Sequence, residues 1–202
     1  MSPPPAVRAA MDQVIFDSAN VLYLAANLPE GAEERVGIEG WPIWNIVLHM
    51  MVEVAGYGPR IARLRDQGPP TAELGPDDSI EVHRHERAPI SELLADILHF
   101  RGEFLHELEK TPLPVLLAGN PEANFEAPLT RWPRHFFEHG LSMVEVLPEF
   151  WDDGIVLTWV FEADLSYDTA LADRRNVLLG RVRDHHAEAE AAEAATRKGK
   201  KR

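Results

Sequence analysis

The chain has 202 residues, 45% of them hydrophobic and 26% charged, which suits a single globular domain able to bury its own core without covalent staples. It has no cysteine, which excludes disulfides, a thiol nucleophile and thiolate metal ligands, and fits a reducing cytoplasm. The formal net charge is −13; the last six residues, RKGKKR, hold five basic groups, so the rest carries 15 Lys+Arg against 33 Asp+Glu, or −18, and repels phosphate backbones.

The N-terminal stretch MSPPPAVRAAMDQ has no apolar h-region, so no secretory leader is expected. Residues 5–28 read as a helix with Val14, Ala19, Val21, Leu22, Leu24 and Leu28 on its apolar stripe, closed by the turn residues NLPEG. A second helix is expected from near Pro42, because proline suits a first turn, to about Arg65, with Gly56, Gly58 and Pro59 marking a kink. Residues 68–89, rich in Pro, Gly and Asp, read as a long loop. The third helix is ISELLADILHFRGEFLHELEK, stopped by Pro112 and Pro114, and a loop spans 112–130. A fourth helix is predicted from near Trp132-Pro133 to near Pro148.

Within 151–166 the run from Val156 to Phe161 has strand character, but one strand cannot stabilise itself, so a short helix is expected. A last helix, YDTALADRRNVLLGRVRDHHAEAEAAEAA, trails into a polar end. Long helices with few strand signals define an all-α bundle. The expected organisation is one helical domain over 1–190 and a disordered basic tail over 191–202. No run approaches the roughly 18 apolar residues of a membrane helix, so no membrane partner and no nucleic-acid partner is expected.

Nine histidines occur, at 49, 83, 85, 99, 106, 135, 139, 185 and 186. In RHFFEHG, His135 and His139 lie four apart, so on one helix their Cβ atoms stand roughly 5–6 Å apart and both rings can reach one ion. The core stripe of that helix is Trp132, Phe136, Met143 and Leu147; His139 falls inside it and His135 at its edge. Two readings stay open on these facts: metal ligands, or partly buried histidines bonded to carbonyls or carboxylates.

A metal needs a third ligand, and His49 is the best candidate. It shares a stripe with Asn45, Glu53 and Arg60, opposite Ile43, Val47, Met50 and Val54. Glu53, one turn beyond His49, is a fourth ligand, a partner behind the ligands, a general base, or a plain surface glutamate. His99 and His106 project opposite their helix's apolar stripe, and the lone Glu103-x-x-His106 has no second copy, which rejects a di-iron site. His83 and His85 sit in the long loop, and His185-His186 in the tail helix. Arg101 lies in phase with an apolar face; it either snorkels, which is the favoured expectation, or reaches an anionic ligand in the cleft. HFFEH is not the zinc-protease motif, because its glutamate stands directly before the second histidine.

GWPIWNIVLHM resembles the opening of the second helix in the DinB/YfiT-like superfamily, which includes mycothiol-dependent maleylpyruvate isomerases, and RHFFEHGLSMVEVLPEF resembles its His-x-x-x-His helix. The irregular segment before the third helix and ALADRRNVLLGRV also fit, so the resemblance covers roughly residues 5–185. It implies a four-helix bundle of up-down-down-up arrangement with additional C-terminal helices, and a divalent metal in an inter-helix cleft held by His49, His135 and His139.

Two functions from different classes follow. The first is a cytoplasmic metal-dependent enzyme acting on a small molecule. Its three histidines hold Zn²⁺ or Ni²⁺ and Glu53 shuttles protons; a low-molecular-weight thiol supplies the nucleophile for transfer or isomerisation, or water does for hydrolysis. The second is a non-catalytic binding or interaction module with a structural or vestigial metal site, its working surface a ligand-bound cleft or a homodimer contact.

Overall fold

The computed structural model describes residues 2–37, 40–69, 87–120, 125–166 and 168–199. Most of the long loop, with His83 and His85, lies outside them. The described residues contain helices α1 (Pro5–Ala26), α2 (Ile43–Gln67), α3 (Ile90–Lys110), α4 (Leu113–Leu116), α5 (Pro128–Val144), α6 (Gly154–Glu162) and α7 (Thr169–Gly199). No β-strand occurs among them; two isolated bridges, Val36 with Pro42 and Asn120 with Phe125, only close loops. The fold is all-α. None of the helices is long and apolar enough to cross a membrane.

The chain forms two compact units, residues 1–146 and 147–202, where the sequence reading took 1–190 as one domain. In the first unit α1 packs on α3 and α5, and α2 packs on the same two helices. α2 is buried around most of its circumference, with Ile43, Ile46, Val47, Leu48, Met50, Met51 and Val54 all inside. A helix so covered belongs to the centre of its unit. The half-buried residues Asn45, His49, Glu53 and Arg60 run along it as a single polar line. α2 passes through Pro59 without a break, and Pro59 is exposed, where a lost backbone bond costs least.

Three expectations in this unit are corrected. In α1 the buried face is Val7, Val14, Asp17, Ser18, Val21 and Leu24, while Ala19 is exposed, as are Ile15 and Phe16. Two polar residues hold core positions because local bonds satisfy them: Gln13 donates to Asp17, and the Ser18 hydroxyl donates to the Ile15 carbonyl at 3.2 Å. Arg101 does not snorkel outward; it donates to Ser18 Oγ at 2.9 Å, tying α3 to α1, and burial lowers its pKa. α5 begins at Pro128 instead of Trp132, since Pro128 fills the first-turn position and Pro133 lies inside the helix.

In the second unit α6 starts where Asp153 Oδ1 accepts from the amides of Ile155 at 2.8 Å and Val156 at 3.2 Å. The short helix expected in 151–166 is this element. α7 starts with the same device, as Asp168 Oδ1 accepts from the Leu171 amide at 3.0 Å. Leu171, Leu178 and Val182 form its buried stripe, after which residues 187–197 are exposed. The helix nevertheless continues to Gly199, through most of the segment expected as a disordered tail. Alanine and glutamate are strong helix formers, which accounts for the extension.

Candidate metal centre

α2 and α5 bring the three histidines together in the first unit. His49 Nε2 lies 3.1 Å from His135 Nε2, and His139 Nε2 lies 3.1 Å from the same atom. One ligand nitrogen from each residue falls within 4.8 Å of the others. Two nitrogens bound to one ion at about 2.0–2.1 Å stand about 2.9–3.4 Å apart in octahedral or tetrahedral geometry. Both short contacts fall in that range.

Both contacts are also hydrogen-bond distances, with donor and acceptor set by the tautomer of each ring. An imidazole nitrogen has one in-plane direction, holding either a proton or a lone pair. His135 Nε2 meets two other ring nitrogens at hydrogen-bond distance, so at most one linear bond can form there at a time. Three imidazole nitrogens gathered this closely could instead share one cation, so the residue types present fit a metal. His139 is buried, 6% exposed, and burial followed by the neighbouring His135 and His49 lowers its pKa to about 2. It is a neutral imidazole, the form that ligates. His49 and His135 are half-buried, and His139 is buried.

Aromatic rings wall the cluster. Trp41 meets His49 edge-on at 5.1 Å between centroids and lies parallel to His139 at 6.4 Å. A tight loop places it there: Gly37 N donates to Trp41 O at 2.8 Å, Ile43 N to Arg35 O at 3.0 Å, and Gly40 takes the left-handed φ of 78°. Tyr57 stacks on Trp132 at 4.7 Å, leans on Phe104 at 5.0 Å and presents an edge to His135 at 6.4 Å. Stacks of this kind add about 0.5–1.5 kcal/mol each beyond area burial. Burial, then Glu53, pushes the Tyr57 phenol well above its usual pKa, so it stays protonated.

Charged pairs flank this wall on both helices. Glu53, one turn beyond His49, is held by Arg60 at 2.8 Å. Glu138 is held by Arg131 at 2.6 Å and lies 3.5 Å from His135 Nδ1. Each pair spans seven residues of its own helix. On α2 a glycine makes this possible: a Cβ at Gly56 would stand 3.2 Å from Arg60 Cζ, so the guanidinium lies back over Gly56 toward Glu53. Burial raises the Glu138 pKa, but His135 and Arg131 outweigh it and hold the carboxyl at about 2.

The structure thus brings His49, His135 and His139 to one point and puts Glu53 in an ion pair one turn away. It leaves His99 and His106 exposed on α3. His185 and His186 meet Asp152 in the second unit, where His186 Nε2 faces both Trp151 O at 2.9 Å and Asp152 Oδ1 at 2.8 Å. Two acceptors fix that nitrogen as a donor, not a ligand. Sequence reading missed Trp41, Tyr57, Arg131 and Glu138. Only Glu138 carried a local signal, as a carboxylate three residues after a histidine on one helix face.

Comparison of the chain with family models, curated proteins and solved structures gave no match in any of the three.

Proposed function

We propose that the chain is a divalent-metal-dependent enzyme of the DinB/YfiT-like superfamily, with His49, His135 and His139 as ligands. On this reading α1, α2, α3 and α5 are an up-down-down-up four-helix bundle and α6 and α7 are the additional C-terminal helices. The pairwise packing of those four helices supports the bundle. The single observation that carries the metal is the meeting of three imidazole nitrogens around His135 Nε2, at 3.1 Å on each side.

An all-histidine set with no thiolate favours Zn²⁺ or Ni²⁺ among borderline ions. Bound there, such an ion supplies a Lewis acid that makes a nucleophile from water or a thiol at neutral pH. The chain's own residues do the rest. Neutral imidazoles hold the site, Trp41 and Tyr57 limit water on one side, and Glu53, steadied by Arg60, carries a proton. The substrate is a small molecule reached from the half-buried side in a cytoplasmic setting. Because the chain has no cysteine, a thiol reaction draws on an external low-molecular-weight thiol.

The test is elemental mass spectrometry of the purified, untagged protein beside His135→Ala/His139→Ala and His49→Ala/His135→Ala. About one ion per chain, lost in both variants while the helical spectrum is kept, is the expected result. Full metal content in either double variant would sink the reading. Absence of metal after incubation with Zn²⁺ or Ni²⁺ would leave the non-catalytic binding module in its place.

A further inference from the structure

His135 is the pivot of the cluster, because its Nε2 lies 3.1 Å from both other rings. That atom can ligate only if its proton sits on Nδ1 instead. An unconstrained histidine side chain in water carries its proton on Nε2 in the larger population, so a partner is needed to hold it on the other nitrogen. The group behind His135 Nδ1 is Glu138, whose Oε2 lies at 3.5 Å. The same oxygen accepts from Arg131 Nη1 at 2.6 Å, and Arg131 Nε in turn meets Glu126 Oε2 at 3.4 Å. Two of these groups lie one turn to either side of His135 on α5: Arg131 four residues before it and Glu138 three after.

We propose that Glu138, gripped by Arg131, is the positioning residue that sets the tautomer of His135, its carboxylate accepting from Nδ1–H so that the Nε2 lone pair faces the point where the three rings meet. The idea rests on the metal reading for its purpose but not for its geometry, which belongs to the metal-free protein. A carboxylate behind a ligating histidine fixes ring orientation and raises basicity, and its loss weakens metal affinity about 10–100-fold. An ordinary ion pair between Arg131 and Glu138 would not need the oxygen to face the ring. Here the same oxygen lies 2.6 Å from the arginine and 3.5 Å from the histidine.

The experiment is long-range ¹H–¹⁵N correlation of the imidazole nitrogens in chelator-treated full-length protein, with Zn²⁺ affinity measured by dye competition. The variants are Glu138→Ala and Glu138→Gln. Glutamine keeps an acceptor oxygen without the charge, so it separates tautomer control from electrostatics. The expected wild-type pattern shows His135 protonated on Nδ1. Glu138→Ala moves the proton to Nε2 and weakens Zn²⁺ binding about 10–100-fold, and Glu138→Gln restores both to within a few-fold. A wild-type His135 protonated on Nε2, or an unchanged tautomer in Glu138→Ala, would overturn the proposal whatever the affinity does. A wild-type protein that binds no Zn²⁺ removes the metal reading instead, and the tautomer spectra still decide this one.

Discussion

The Nε2 atoms of His49 and His135 stand 3.1 Å apart although 86 positions separate them in the chain. Neither helix can build the cluster alone: α5 supplies two rings and α2 the third. An ion held by all three rings would therefore be coupled to the docking of α2 against α5, because any ligand that needs the docked state stabilises it.

At a free Zn²⁺ concentration about a hundredfold above its Kd, linkage contributes about 2.7 kcal/mol, which for a chain of this size raises Tm by about 5–10 °C. A chelator should reverse the rise, and His49→Ala should abolish it. Differential scanning calorimetry with and without metal checks this. Equal shifts in wild type and His49→Ala would place the ion elsewhere.

Acid should destabilise the metal-free protein over a defined window. His139 has its folded pKa lowered from 6.5 to about 2, so the unfolded chain binds the proton more tightly, and stability falls as pH drops below about 6.5. Glu138, lowered from 4.5 to about 2, contributes stability that is present above 4.5 and lost as pH falls toward 2. Each group adds a slope of at most about 1.4 kcal/mol per pH unit. Urea midpoints between pH 7 and 4 test it, and His139→Gln should remove the part between 6.5 and 4.5. A midpoint independent of pH across that range would contradict the buried neutral ring.

Gly56→Ala should uncouple Arg60 from Glu53. The new methyl would stand 3.2 Å from Arg60 Cζ, and the side chain must swing away to make room. Helix propensity favours alanine by about 1 kcal/mol, so total stability should hardly fall. The informative quantity is a double-mutant cycle on Glu53→Gln and Arg60→Met. Its coupling energy should be about 0.2–1 kcal/mol with Gly56 in place and near zero in the Gly56→Ala background. The same coupling in both backgrounds would mean that Arg60 reaches Glu53 by another path.

Asp153→Ala should loosen α6 while leaving the first unit unaffected. The carboxylate accepts two amide protons, and losing such a cap costs about 0.5–2 kcal/mol. Amide exchange in α6 should speed by about 2–30-fold, and Asp153→Asn should retain most of the protection. Unchanged exchange at Ile155 and Val156 would show that water replaces the cap at no cost.

Helical periodicity made much of this molecule legible. The phase of α5 placed His139 on the buried stripe and His135 at its edge, and the two residues stand so. The short helix α6 followed from the weakness of a lone strand. What periodicity could not supply was pairing. Asp17 and Ser18 had no place in the apolar stripe expected for α1, but bonds to Gln13 and the Ile15 carbonyl make them suitable for the interior. Arg101 was placed without its partner because Ser18 lies 83 positions away. Pro128, which opens α5, fell inside the segment expected as a loop, because a proline fits a loop as readily as a helix's first turn. Arg131 and Glu138, seven residues apart, obey no nearest-turn rule and escaped notice.

Trp41 lies parallel to His139 and edge-on to His49, with ring centroids 6.4 and 5.1 Å away. An indole in contact with these rings is close enough for its emission to respond to what they bind. A proton or an open-shell ion such as Ni²⁺ drains its emission, whereas closed-shell Zn²⁺ does not. Trp41 emission is therefore expected to report what the cluster takes up, and replacing Trp41 with phenylalanine separates its signal from that of the four other tryptophans.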